Sequence, residues 1–214
     1  LGLVWWGSEK RLERLVTVKG LDAWLGQANA GERTLLITPH TIGMDLGGIY
    51  LSQFYRLVSI MKRAPNPMLT WILWSGRRRF DAEIIMRDDG IRPFVRSLLQ
   101  GYAGYIMPDE DLPQARKVFA PFFDVETATL SVVGRLSSLT GAKVFPAFTR
   151  RLSSGKYEIE IQPYLEDFPT GDHIQDAIRI NKVFEAGIRT APEQYLWTLK
   201  WFSNRPDGEP SPYS

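Results

Sequence analysis

Thr34 to Tyr50 reads TLLITPHTIGMDLGGIY, and the fold turns on how this stretch is parsed. Leu35-Leu36-Ile37 is a short apolar run, preceded by the turn signal Asn29-Ala30-Gly31-Glu32. About four to eight apolar residues between turn signals predict a buried strand. Pro39 ends the ladder, because it has no backbone N–H to give. His40 follows at the strand exit, and Asp45 lies further on, with Gly43 between them and Gly47-Gly48 beyond. A strand that runs through a glycine-bearing turn into a helix brings the turn to the open edge of a sheet. That edge is where α/β proteins bind ligands. A histidine near a carboxylate suits general-base work, since the carboxylate fixes the tautomer and stabilises the imidazolium. A histidine that only caps the turn or satisfies a buried carbonyl would look the same in sequence, and spacing leaves both readings open.

On the N-terminal side, Gly2 to Leu15 reads as one amphipathic helix, Val16-Thr17-Val18 as a strand, and Leu21 to Ala28 as a helix ended by Asn29-Ala30-Gly31. On the C-terminal side, helices are predicted over Met44–Leu57, Met68–Trp74 (stopped by Gly76), Ile91–Leu99, Ala128–Leu139 and Ile174–Arg189. Strands are predicted over Leu57–Met61, Glu83–Met86, Tyr102–Met107, Lys143–Phe148 and Tyr157–Gln162. Asp109 to Asp124 reads as a loop, and the Pro/Gly/Ser-rich tail from Asn204 as loose chain. Alternating helices and strands predict an α/β fold: a single domain over residues 1–214, with a mostly parallel or mixed central sheet flanked by helices.

Composition narrows the function. The net charge of +2 argues against a nucleic-acid partner, which calls for a basic excess. With no cysteine there is no disulfide, no thiolate nucleophile and no cysteine zinc site. The two histidines, His40 and His173, are far apart in sequence, which argues against zinc and leaves no metal site expected. The seven Trp, eight Tyr and eleven Phe are a heavy aromatic load, with Trp5-Trp6, Trp71/Trp74 and Trp197/Trp201 in clusters. Such clusters serve a core, a large apolar pocket or a membrane interface. No apolar run reaches the ~20 residues that cross a bilayer.

The chain carries no Gly-x-Ser-x-Gly elbow, no phosphate-binding P-loop, no Gly-x-Gly-x-x-Gly and no His-Glu-x-x-His. What remains is a candidate His40/Asp45 base without an evident protein nucleophile, a pair able to activate a substrate hydroxyl directly. Arg77-Arg78-Arg79, followed by Arg87 and Arg92, offers forked cations for phosphate or carboxylate groups, or a solvated surface. Asp109-Glu110-Asp111 follows a predicted strand and is able to pair with those arginines or simply to face water.

His40-Thr-Ile-Gly-Met-Asp45 resembles the His-x4-Asp/Glu signature of the lysophospholipid acyltransferase superfamily. Gly76-Arg77-Arg78-Arg79, Gly90-Ile91-Arg92 through Gly101, and Pro108-Asp109-Glu110-Asp111 with Phe119-Ala120-Pro121-Phe122-Phe123 are similar to segments of its bacterial branch, the lipid A late acyltransferases. So are Ala191-Pro192-Glu193-Gln194-Tyr195-Leu196-Trp197 and Asn204-Arg205-Pro206, the most branch-specific block. Two departures stand out. Asp45 stands where several members of the branch have Glu, and Asp124 where Gly often follows the Phe pair.

The resemblance implies a glycerolipid-acyltransferase-like fold and transfer of a fatty acyl chain to a hydroxyl of a lipid A precursor. The donor would be an acyl carrier protein or coenzyme A thioester, with no cofactor besides. His40 would be the base and Asp45 its orienting carboxylate. Arg77, Arg79, Arg92, Asp109 and Asp111 would bind substrate, and the aromatics would line the acyl path or seat the protein in a bilayer interface. Expected partners are acyl carrier protein, an anionic lipid acceptor and a membrane surface. The expected location is the cytoplasmic face of a bacterial inner membrane, held there peripherally or by an N-terminal helix absent from this sequence. A glycerolipid or phosphatidylinositol-mannoside acyltransferase, and an inactive lipid-binding protein of the same fold, are the alternatives.

Overall fold

Leu35, Leu36 and Ile37 are all fully buried, in strand β2 (Thr34–Ile37), and they face opposite ways. Leu35 and Ile37 enter one apolar core, Leu36 the other. Side chains alternate across a strand, so a strand covered on both faces must be apolar throughout. This is why the run shows no polar alternation.

The computed structural model describes residues 2–110, 116–206 and 210–213. The other strands are β1 (Val16–Lys19), β3 (Leu57–Met61), β4 (Glu83–Met86), β5 (Ala103–Ile106), β6 (Lys117–Phe122), β7 (Val125–Leu130), β8 (Lys143–Arg151) and β9 (Tyr157–Ile161). The helices are α1 (Gly2–Trp6), α2 (Glu9–Leu15), α3 (Leu21–Asn29), α4 (Met44–Leu51), α5 (Pro67–Arg77), α6 (Arg92–Leu99), α7 (Val132–Thr140) and α8 (His173–Arg189). Among the described residues, seven strands form one sheet in the order β1-β9-β8-β2-β5-β3-β4. Neighbours run parallel except β8 and β9, which form an antiparallel pair. Helices α6, α7 and α8 contribute to the core on one face (Phe94, Leu98, Leu136, Phe184), and α1 to α4 to that on the other (Val4, Leu12, Trp24, Ile49). The α/β expectation holds.

Four local readings are corrected. The N-terminal helix is two helices, α1 and α2. Helix α4 stops at Leu51, where the Ser52 hydroxyl donates to Ile49 O at 2.7 Å, rather than running to Leu57. Helix α5 continues through Gly76, which is small for a packing reason: a Cβ there would lie 2.6 Å from the Trp5 ring.

The largest correction concerns residues 117–130, read as loop and helix start, which form the β6–β7 hairpin with α7 beginning only at Val132. Pro121 argued against a strand, but a two-stranded ribbon leaves edges on which proline is tolerated. Its two-residue turn, Phe123-Asp124, has φ of 50° and 60° at successive residues. That is the left-handed region a tight hairpin demands, which favours glycine and tolerates Asp. The departure at Asp124 therefore keeps the turn.

Candidate active site

Strands β2 and β5 are parallel neighbours, with Ile37 opposite Ile106. Each then leaves the sheet through a proline, Pro39 and Pro108, and the next residues are His40 and Asp109. Equal offsets on registered strands bring those two residues together. His40 Nδ1 lies 2.7 Å from Asp109 Oδ1, and the His40 backbone N–H donates to Asp109 Oδ2 at 2.6 Å. Asp109 is fully buried. A carboxylate can only accept here, so the imidazole carries its proton on Nδ1 and leaves Nε2 as the basic atom. Burial alone lowers the His40 pKa, but the Asp109 hydrogen bond and charge, helped by Glu110 and opposed by Arg87, raise it above the ordinary histidine value overall.

The carboxylate that orients His40 is thus Asp109, which the resemblance had placed among substrate-binding groups. Asp45, expected in the orienting role, is engaged elsewhere. It sits in the first turn of α4 and forms a bidentate pair with Arg77 in the last turn of α5, at 2.8 Å (Nε to Oδ1) and 3.2 Å (Nη2 to Oδ2). The physical reason is the helix. Five residues past His40, α4 has turned Asp45 towards α5, and both residues line a small cavity of about 30 Å³ there. Both members of the pair are mostly buried, so removing one leaves a charge without its partner. Arg77→Gln should destabilise the protein by about 1–3 kcal/mol, read as a lower melting temperature. The double variant Asp45→Asn/Arg77→Gln should recover part of that loss; no recovery would mean the two side chains act independently.

Close packing holds the turn in place. A Cβ at Gly47 would collide with the Thr149 hydroxyl, and one at Gly48 would lie 2.9 Å from the Tyr105 ring. Tyr105, fully enclosed, donates its hydroxyl to Met44 O at 2.8 Å and so ties α4 to β5. The two glycines let the helix sit on the sheet at that distance.

His40 opens onto a cavity of about 780 Å³ on the α6–α7 side of the sheet. Its floor is aliphatic, from Ile60, Val95, Ile106, Leu130, Leu136 and Leu139, and no Phe, Tyr or Trp is among the described lining residues. The clustered aromatics do not line this cavity. Many of the aromatics are packing instead, as where Phe122 stacks on buried Trp201 with ring centres 4.1 Å apart. Arg87, Arg116 and Arg135 supply positive charge around the cavity, Arg87 being paired with Glu110 at 2.6 Å. His173 also lines it, so the fold brings the two distant histidines to one space.

Of the arginines singled out in sequence, Arg87 lines this cavity, while Arg77, Arg78, Arg79 and Arg92 do not. Arg77 holds Asp45. Arg79 donates to Val4 O at 2.7 Å and Gly7 O at 2.5 Å, pinning the break between α1 and α2. Arg92 opens α6 and is exposed, while its neighbour Ile91 reaches the cavity. Asp111 lies outside the described residues. Arg116, beside Lys117 just before β6, and Arg135, on α7, were not singled out in sequence, because basic residues so placed look like ordinary surface.

A family profile described as bacterial lipid A biosynthesis acyltransferase matches residues 1–204. The chain belongs to the bacterial lipid A biosynthesis acyltransferase family. Similar proteins include the "Lipid A biosynthesis acyltransferase" of Haemophilus influenzae, 35% identical over 94% of this chain and 64% of that protein. The "Lipid A biosynthesis myristoyltransferase" of Escherichia coli is 32% identical over 97% and 64%, and its "Lipid A biosynthesis lauroyltransferase" 30% over 99% and 70%. The chain therefore spans about 64% of the length of the first two of these relatives. For this member of the lipid A acyltransferase family, the His-x4-Asp signature maps onto two neighbouring units rather than one: His40 with Asp109, and Asp45 with Arg77.

Proposed function

We propose that the chain carries the acyl-transfer site of a lipid A acyltransferase. A hydroxyl of a lipid A precursor attacks the carbonyl carbon of a fatty acyl thioester, held on acyl carrier protein or coenzyme A. His40 Nε2 takes the hydroxyl proton as the new C–O bond forms. The C–S bond then breaks, and the departing thiolate recovers the proton from the imidazolium. No acyl-enzyme is formed. Asp109 holds the tautomer and stabilises the imidazolium through the step. The observation that carries this reading is the oriented His40 base at the mouth of an aliphatic cavity, whose size suits a small-molecule site of about 300–1,000 Å³. The relatives are named for lauroyl, myristoyl and palmitoleoyl transfer, and a long aliphatic chain is what such a cavity accepts. Arg87, Arg116 and Arg135 replace the Arg77–Arg79 run as the groups that face an anionic acceptor or donor. The deciding experiment is mass spectrometry of lipid A from cells with and without the full-length protein. Loss of one acyl chain supports the reading, and unchanged lipid A overturns it.

The substrate is an amphiphile, and the reading includes peripheral contact with the cytoplasmic leaflet. Among the described residues no helix is long and apolar enough to cross a membrane. Trp6, Met68, Leu69 and Trp71 are nonetheless exposed on α1 and α5, which pack together, with Lys62 before α5 and Arg78 at its end also exposed. Exposed aromatics with a basic surround suit an anionic interface. Trp6→Ser/Trp71→Ser should lose most flotation with anionic vesicles while staying folded; equal recovery of both proteins would locate membrane contact elsewhere. Trp5 is the wrong residue for this test, because its ring packs on Gly76.

A further inference from the structure

Strand β2 leaves the sheet just before His40: Thr38 N still donates to Ile106 O at 3.0 Å, and Pro39 has no N–H to follow it. Beyond that point the branch-specific block after α8, residues 191–197, lies across the chain as a strap. Leu196 N donates to His40 O at 2.9 Å, Ile42 N donates to Gln194 O at 3.0 Å, and Thr41 and Tyr195 form an antiparallel bridge. The backbone of His40 is therefore held by β2 on one side and by the strap on the other.

One side chain fastens the strap to the sheet. Ile37, at the end of β2, lies opposite Pro146, and β8 runs on from there to Arg151. Thr41 Oγ1 meets this overhang at Thr149 O, 3.4 Å away. Two residues further, Gln194 Oε1 accepts from Arg151 N and Gln194 Nε2 donates to Arg151 O, both at 2.8 Å. A neighbour in an antiparallel ladder offers a residue the same two bonds. The Gln194 amide, with its carbonyl and NH₂ side by side, thus does at the end of β8 what another strand would do. The second proton of Nε2 faces Glu193 Oε1 at 3.4 Å.

We propose that Gln194 is a positioning residue: by clasping Arg151 it holds the strap, and through the strap it holds His40 so that Nε2 keeps one place at the cavity mouth. This rests on His40 being the base. Asp109 takes the backbone N–H and Nδ1 of His40, which fixes the tautomer, while the strap fixes the carbonyl side of the same residue. A base displaced by about 1 Å costs up to ~10²-fold in rate, so a clasp remote from the substrate still governs turnover.

Gln194→Ala in the full-length protein should lower kcat by about 10- to 100-fold. KM for the acyl thioester should stay unchanged, because Gln194 is not among the described residues that line the cavity. Gln194→Glu keeps the length and the acceptor for Arg151 N but loses the donor when ionised, so it should fall between the alanine variant and the parent protein. Parental kcat in the folded variants, or a loss carried by KM, overturns the proposal. A second arm does not depend on turnover. The sequence contains two histidines, so imidazole NMR reads His40 with His173 as an internal control. In both variants the His40 ring signals should broaden as the ring samples several positions, with those of His173 unchanged. His40 signals as sharp as the parent's overturn the proposal. A parent protein that transfers no acyl group would sink the proposed function while leaving Gln194 to be judged on these signals.

Discussion

Asp109→Asn should lower acyl-transfer turnover by about 10²–10⁴-fold in a protein that still folds. Both carboxylate oxygens receive a proton from His40, one from the backbone N–H and one from Nδ1. An asparagine has only one oxygen. The backbone N–H is a donor that cannot change, so the amide oxygen stays with it and the NH₂ group faces Nδ1. Nδ1 must then accept, the ring proton moves to Nε2, and the base is lost with almost no change in shape. Asp45→Asn leaves this tautomer alone, because Asp45 bonds to Arg77. Turnover of the full-length protein, alongside its melting curve, checks the result. An Asp109→Asn enzyme working at near-parental rate would mean that the His40 tautomer is immaterial.

His40→Ala should cost a similar ~10²–10⁴-fold, and the pH profile carries the more specific signature. The base works when neutral, and its pKa is raised, so kcat/KM should climb with pH through a midpoint above the ordinary value of about 6.5. The residual rate of the alanine variant should lack that limb. The same raised pKa acts on stability with the opposite sense. Protonated His40 is favoured by the fold, so its contribution is full below about pH 6.5 and disappears as pH rises through the folded-state value. The protein should gain this increment of stability on the acid side, where it turns over least. A pH profile with no histidine limb in the parent protein would remove His40 from the mechanism.

The fold was legible where one residue pattern had one meaning. The buried run Leu35-Ile37 could hardly be anything but a doubly covered strand, and alternating elements do set the α/β class. The β6–β7 hairpin was opaque because Pro121 and a turn without glycine or asparagine hid it. In the site, His40 stood out by rarity, but its partner was assigned to Asp45 by nearness in sequence. Register between strands decides such partners, and here it selected a residue from another strand end. One signal was present: Pro39-His40 and Pro108-Asp109 share a pattern at two strand exits. The arginines were misread for a related reason. A triple Arg is conspicuous, yet Arg77 and Arg79 serve Asp45 and two backbone carbonyls, while the scattered Arg116 and Arg135 reach the cavity.

The strap that closes over His40 also sets a schedule for biosynthesis. Strand β2 leaves the ribosome before its sheet neighbours β5 and β8, and long before the residues that clasp His40. At about 5–20 residues per second, roughly 8–30 s separate residue 40 from residue 196. Until β5 and β8 emerge, β2 is an apolar segment with neither edge paired, the kind of segment that chaperones retain and aggregation recruits. The nascent chain therefore has no assembled catalytic centre until its last long helix and the strap behind it have emerged.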